Sequence, residues 1–270
     1  MKEKWYRLTN RHRWIPVVVT VVLMVLLWIP LYLLGDTSVV FFYICAALTV
    51  LCSFAVGSAN SIKLLNPTVE YMHNYCDPYP LLQESDTQLS YVKNQRDRQQ
   101  ITVNRAAALI ALGHNEDALA SLEALNIDEP YCLPLWRYCY YANIAGAALA
   151  CGQRDKAMIY RQKADQTAAT ITKPTDTALV KMTTTDWLAE LCLLDGDYQG
   201  AATYLSCQAP PENTYQRVIR AYLIGCVEKG LGNLGNARFQ LEFVVQYGNR
   251  LAVAAKAAAL LEEIAAQEEM

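Results

Sequence analysis

Three histidines and nine cysteines are the residues of this chain best suited to nucleophilic or metal chemistry. His73 and Cys76 stand three apart in His73-Asn-Tyr-Cys76, the separation at which two side chains share one face of a helix. An imidazole beside a thiol can hold it as a reactive thiolate. No orienting third group or oxyanion donor accompanies this pair, so the sequence assigns it no catalytic role. His12 belongs to a basic N-terminal arm and His114 to a turn between helices. The cysteines form no CxxC and no zinc-type His/Cys spacing, and their odd number suits small apolar residues in a reducing compartment. Gly230-Leu-Gly-Asn-Leu-Gly235 contains a G-x-G-x-x-G string, but it follows a helical pattern rather than a strand, so its glycines serve a turn and not a phosphate. Asp195/Asp197 and Glu262/Glu263 are acidic pairs at helix ends with no catalytic spacing. The expectation is a protein that is not an enzyme, with no cofactor, no metal and no catalytic residue.

Two apolar runs must position everything that follows. Trp14–Leu34 is 21 residues without a charge and Ser38–Gly57 is 20, with only Gly35, Asp36 and Thr37 between them. At about 1.5 Å per residue each run makes a helix of about 30 Å, the thickness of a bilayer's hydrocarbon core. Lipid offers no partner to backbone amides, so helices are the form such runs take there, and so short a connection makes them an antiparallel hairpin. Lys2, Lys4, Arg7, Arg11 and Arg13 precede the first run and Lys63 follows the second, whereas the connection carries only Asp36. Basic residues stay on the cytoplasmic side, which places both termini there. Cys45 and Cys52 then lie within the membrane. The expected division is a basic arm at 1–13, a transmembrane hairpin at 14–57 (spans 14–34 and 38–57), a juxtamembrane linker with a short helix at 58–84, and a helical domain at 85–270.

Residues 58–270 hold 18 Lys and Arg against 24 Asp and Glu, a net charge of −6. Nucleic acid is therefore not an expected partner, because phosphate binding needs a basic face. In 58–84, a short helix interrupted by Pro67, lying against the membrane surface or against the next unit, should end at Asp77, Pro78 and Pro80. Ser85 or Asp86 should then cap a helix running to about Leu112.

From there the chain shows no strand signal, and one pattern recurs. Gly113-His-Asn-Glu-Asp-Ala118, Gly152-Gln-Arg-Asp-Lys-Ala157, Gly196-Asp-Tyr-Gln-Gly-Ala201 and Gly232-Asn-Leu-Gly-Asn-Ala237 all fit G-x4-A. Seven residues before each glycine stands a small residue: Ala106, Ala145, Ala189 and Gly225. Four residues after each alanine stands Leu122, Leu205 or Leu241, except in the second unit, where Arg161 takes that place. This spacing predicts paired helices. A first helix ends at a glycine that can turn left-handed, and a second folds back with small residues at the close approach and a bulky one filling the seam. Each pair leaves an apolar face open, so pairs stack. The intervals between glycines are 39, 44 and 36 residues. A last helix from Arg250 to about Gln267 should close the stack.

Across about 85–248 these residues resemble the tetratricopeptide repeat family, most closely in Trp187-Leu-Ala-Glu-Leu through Gly196-Asp-Tyr-Gln-Gly-Ala201. Asp128-Glu129-Pro130 is similar to the family's closing proline. The resemblance implies an all-α architecture: a tetratricopeptide-like solenoid of about four helix pairs with a C-terminal capping helix. It also implies a concave face lined by the first helix of each pair, carrying Asn104, Asn143, Thr183, Trp187, Glu190, Tyr222 and Cys226. The family's capture of C-terminal carboxylates needs basic residues at these places, and only Asn143 matches. Trp187 is the expected anchor, since a one-residue step from an inward Leu188 rotates it by about 100° toward the groove. Trp136, Tyr138, Tyr140 and Tyr141 form an alternative aromatic shelf, with packing of Tyr138 and Tyr141 between helices as its competitor.

The expected function is that of a membrane-anchored cytoplasmic adaptor or scaffold in a bacterial cytoplasmic membrane. It would bind a protein or peptide partner through the helical-repeat groove. One alternative is a structural subunit assembled, or an oligomer formed, mainly through the hairpin, with Tyr32, Tyr43, Thr49, Cys52 and Ser53 as contacts; a second, ranked below it, is an uncharacterised enzyme.

Overall fold

The computed structural model describes residues 62–125 and 133–268, together with Val18, Val19, Val21–Leu23, Val25 and Leu26 of the first apolar run, which are helical. The expected hairpin otherwise lies outside the described residues, as does the Asp128–Pro130 segment. Among the described residues no helix is long and apolar enough to cross a membrane.

Every described element from Ile62 onward is a helix: α1 (Ile62–Tyr75), α2 (Tyr79–Leu89), α3 (Gln95–Ala111), α4 (Asn115–Glu123), α5 (Pro134–Ala150), α6 (Arg154–Ala168), α7 (Pro174–Leu194), α8 (Tyr198–Ser206), α9 (Thr214–Gly230), α10 (Leu234–Tyr247) and α11 (Ala252–Glu268). Four tight pairs, α3/α4, α5/α6, α7/α8 and α9/α10, stack in chain order, with α11 against the last.

One local device makes all four pairs. Gly113, Gly152, Gly196 and Gly232 take φ of 83°, 73°, 74° and 81°, a region that costs any residue with a Cβ. The amide after each glycine donates back to the carbonyl five residues earlier, as in His114 to Leu109 and Gln153 to Ala148. This double-bonded stop satisfies carbonyls that the helix end would leave orphaned. Beyond it Ala118, Ala157, Ala201 and Ala237 are fully buried, and so are Ala106, Ala145 and Ala189 opposite them. At Gly225 an added Cβ would meet Leu241 at 2.8 Å, so the fourth pair is packed too closely for alanine. Leu122, Leu205 and Leu241 are buried as the spacing predicts.

Ion pairs link successive units: Lys156 with Glu123, Arg154 with Asp195 through two bonds of 2.5 and 2.7 Å, and Lys229 with Glu263. Each has an exposed acid, so they add little stability and mainly favour one register.

The structure departs from expectation at the N-terminal side. Ser85 and Asp86 lie inside α2, and the expected helix from there to Leu112 is broken by a turn over 90–94, after which Asn94 caps α3 by accepting from the Arg96 amide at 3.1 Å. Pro67 sits inside α1 without ending it. Residues assigned to a linker belong to the packed body: Leu65 and Met72 of α1, Leu81 of α2 and Ile101 and Ala108 of α3 form one core. Helix α1 also packs on α9. Cys76 is buried with Val218, Leu241 and Leu251. Its carbonyl accepts from the Arg250 amide at 3.2 Å, and the Asn249 side chain donates to the Tyr75 carbonyl at 2.9 Å. The first helix is thus clasped to the last pair.

Candidate protein-binding groove

The first helices of the second, third and fourth pairs and the closing helix α11 surround an open groove of about 710 Å³. The small-residue seams create it, because each pair is drawn tight and the first helices are left splayed around a shared hollow. Leu193 and Leu194 from α7 and Leu260 from α11 supply apolar surface, with Leu149 of α5 and Leu223 of α9 buried behind it. Tyr198 and Tyr222 bring aromatic rings, and Glu190, Lys229 and Lys256 bring charge.

Of the residues expected on a concave face, Glu190, Tyr222 and Cys226 line this hollow. Glu190 is exposed to the groove, yet protein encloses it on several sides. That desolvation, reinforced by Asp186 one helical turn away and opposed by Lys256, pushes its carboxyl up to about 7. Asp186 is also raised, chiefly by burial, although Gln208 donates to it at 2.5 Å and Arg220 stands near. Burial raises the Tyr222 hydroxyl and the Cys226 thiol, so both are neutral donors at physiological pH. The groove thus offers an apolar floor, neutral hydroxyl and thiol groups, an acid that titrates near neutrality and a lysine within its field. That inventory fits recognition of an amphipathic segment.

Trp187 is not in the groove. Its ring is 6 % exposed, in a core with Ile144, Ala148 and Ala157, and Leu188 packs half-buried against the same cluster. The one-residue rotation that was expected to expose it fails, because α7 is contacted by its own partner α8 and also by the preceding pair. Both Trp187 and Ala189 are covered as a result. Arg161, at the place where the other pairs carry leucine, is 3 % exposed and donates to Asp165 at 2.5 Å and Thr184 at 2.6 Å.

Asn104, Asn143 and Thr183 are half-buried and do not line the groove. Asn143 reaches the Val103 carbonyl at 3.4 Å, joining neighbouring first helices, and Thr183 donates to the Leu179 carbonyl of its own helix. The aromatic shelf is not a shelf either. Tyr138 and Tyr140 are 1 % and 5 % exposed, and the Tyr138 hydroxyl donates to the Val180 carbonyl at 3.2 Å. Trp136 and Tyr141 are half-buried against the same core, and Tyr141 has Tyr160 at 6.1 Å.

The His73–Cys76 pair is also accounted for by packing. Burial pushes the Cys76 thiol up to about 11 and lowers the His73 imidazole, whose ring sits 5.8 Å from that of Tyr215. A thiol so raised is not an activated nucleophile. Among the described residues no three His, Cys, Asp or Glu side chains gather to hold a metal ion.

No family model, curated protein or solved structure matches this chain. The groove must therefore be read from its own chemistry. Lys256 was missed by the sequence reading, and its signal was there: a lone cation in Ala252-Val-Ala-Ala-Lys-Ala-Ala-Ala-Leu-Leu261, one turn before Leu260.

Proposed function

We propose that this chain is a membrane-anchored adaptor: a tetratricopeptide-like helical domain, tethered by the hairpin at 14–57 with both termini cytoplasmic, that holds a segment of a partner protein in the groove between α5, α7, α9 and α11. The observation that carries the reading is the open groove itself, bounded by four helices, with Leu193, Leu194 and Leu260 as its apolar surface and Glu190, Tyr222 and Lys256 on its walls. Repeated glycine stops and buried alanines support the family resemblance. Two consecutive uncharged runs with a basic flank support the anchor. Tethering raises the partner's effective concentration at the bilayer, so a modest groove affinity suffices.

The test is a pull-down from detergent extract with the full chain and with Lys256→Ala and Glu190→Arg, two substitutions at solvent-exposed groove positions. Loss of a specific partner from both variants, with unchanged thermal midpoints, is the expected result. Partners retained by both variants but lost when residues 1–57 are removed would instead favour the structural subunit assembled through the hairpin.

A further inference from the structure

Two aromatic stripes lie on the outside of the domain, away from the groove. Tyr71 and Tyr75 are exposed on α1 with ring centroids 4.6 Å apart, Tyr75 at 60 % exposure, and Tyr79 is exposed at the start of α2. On α10, Phe239, Phe243 and Tyr247 recur every four residues and so share one face. Phe239 is 70 % exposed, and the Phe243 and Tyr247 rings are 4.7 Å apart. The stripes converge at the clasp. Asn249, two residues beyond Tyr247, donates to the Tyr75 carbonyl, and the Arg250 guanidinium lies 4.9 Å over the Tyr79 ring. An exposed aromatic surface fed by two helices is more than the scattered apolar residues any surface carries.

We propose that this aromatic face rests in the headgroup layer of the bilayer, so that α1 lies along the membrane surface rather than pointing away from it. The inference rests on the reading of residues 14–57 as a membrane hairpin. Three observations select the bilayer as the occupant. Tyrosine has an apolar body and a polar tip, the amphipathic character of interfacial belts rather than of a dry hydrocarbon-facing surface. Arg250, stacked on Tyr79, sets a cation at the rim, where lipid phosphates lie. The second apolar run ends at Gly57 and α1 begins at Ile62, a five-residue step that spans at most about 18 Å. A face tethered this closely has already lost the freedom that association costs, so a few shallow rings are enough to dock it.

Contact is read by placing the photoreactive p-benzoylphenylalanine at Tyr75 in the full chain, in native membranes, and weighing the products after irradiation. The same residue at Ile159, exposed on α6, is the control. The expected result is a lipid adduct at Tyr75 at least fivefold more abundant than at Ile159, repeated with the probe at Tyr247. A crosslink at Tyr75 to a second copy or another polypeptide, or lipid labelling no greater than at Ile159, would overturn the proposal. Alkaline carbonate extraction of the unsubstituted chain separates the two layers of inference. Release from the membrane removes the hairpin reading and this proposal with it, whereas retention without a lipid adduct removes only the docked face.

Discussion

The Arg161 guanidinium lies 5.3 Å from the centroid of the Trp187 ring, and both side chains are buried between the second and third helix pairs. The cation replaces the leucine found at the corresponding place in the other pairs, and the ring from the next pair covers it. The ring that the preceding pair covers is thus also the cover of the one charged position in the seams.

Replacing Trp187 by alanine should lower stability by about 3–5 kcal/mol, the range for deleting a large aromatic from a core. The full chain or its helical domain should show the loss as a large fall in thermal midpoint. A midpoint within a degree of wild type would mean the ring is not packed as described.

Arg161 tests whether the buried charge is needed or only tolerated. Its Nη1 has no hydrogen-bond partner, so the site is not fully satisfied. Arg161→Leu restores the residue type of the other pairs and removes a buried cation whose carboxylate partner, Asp165, is exposed and returns to water, so it should be neutral or stabilising. Arg161→Ala, which leaves a cavity beside Trp187, should instead destabilise by about 2–5 kcal/mol. Denaturant midpoints of the two variants should therefore move apart.

The four glycine stops are equivalent in backbone but not in surroundings. At Gly152 an added Cβ meets nothing within 4 Å, so Gly152→Ala should cost only the left-handed conformation, about 1–2 kcal/mol. At Gly113 the same Cβ would lie 3.0 Å from that of Ala252 in α11. Gly113→Ala should therefore cost measurably more, and the excess should shrink in an Ala252→Gly background.

Glu190 gives the groove a pH signature. Its carboxyl titrates near 4.5 in the unfolded chain and is pushed up to about 7 in the native one. Between those values the native state holds more protons than the unfolded state, so rising pH withdraws stability across that window and no further above it. Glu190→Gln abolishes the titration. The midpoint of the variant relative to wild type should climb from pH 4.5 to about 7 and then level off. Solvent reaches this side chain, so the climb should be small. A flat difference across the window would show that the groove does not desolvate the acid.

Backbone requirements were the most readable part of this chain. A glycine forced into φ near 80° and an alanine forced against a neighbouring axis leave few alternatives, so the four G-x4-A units located the helix pairs directly. Side-chain direction was less readable. Trp187 was assigned by rotating one residue from Leu188, which presumes a helix buried along a single stripe. A first helix in a stack is covered by its own partner and by the previous pair, and positions 187 and 189 are both inside. Glu190 and Tyr222 fall in the remaining open arc and line the hollow. The packing of α1 on α9 has no local signature at all, since neither segment carries a mark of the other. The break over 90–94 was hidden for a different reason: Ser85 and Asp86 are good caps in type but stand within a helix already begun at Tyr79.

The bond from Asn249 to Tyr75 joins residues 174 positions apart. In a linear array of repeats each unit can fold once its neighbour exists, and the ends fray independently. Closing this chain on itself replaces that zipper-like order with a contact of high sequence separation, which slows folding and couples the ends. During synthesis α1 can pack on α2 and α3, but Cys76 and the side of α1 that meets α9 stay bare until Thr214–Arg250 have emerged. The first packed helix is among the last to be finished, and a truncation that removes the final pair should be felt next to the apolar runs as aggregation, not as the quiet loss of one repeat.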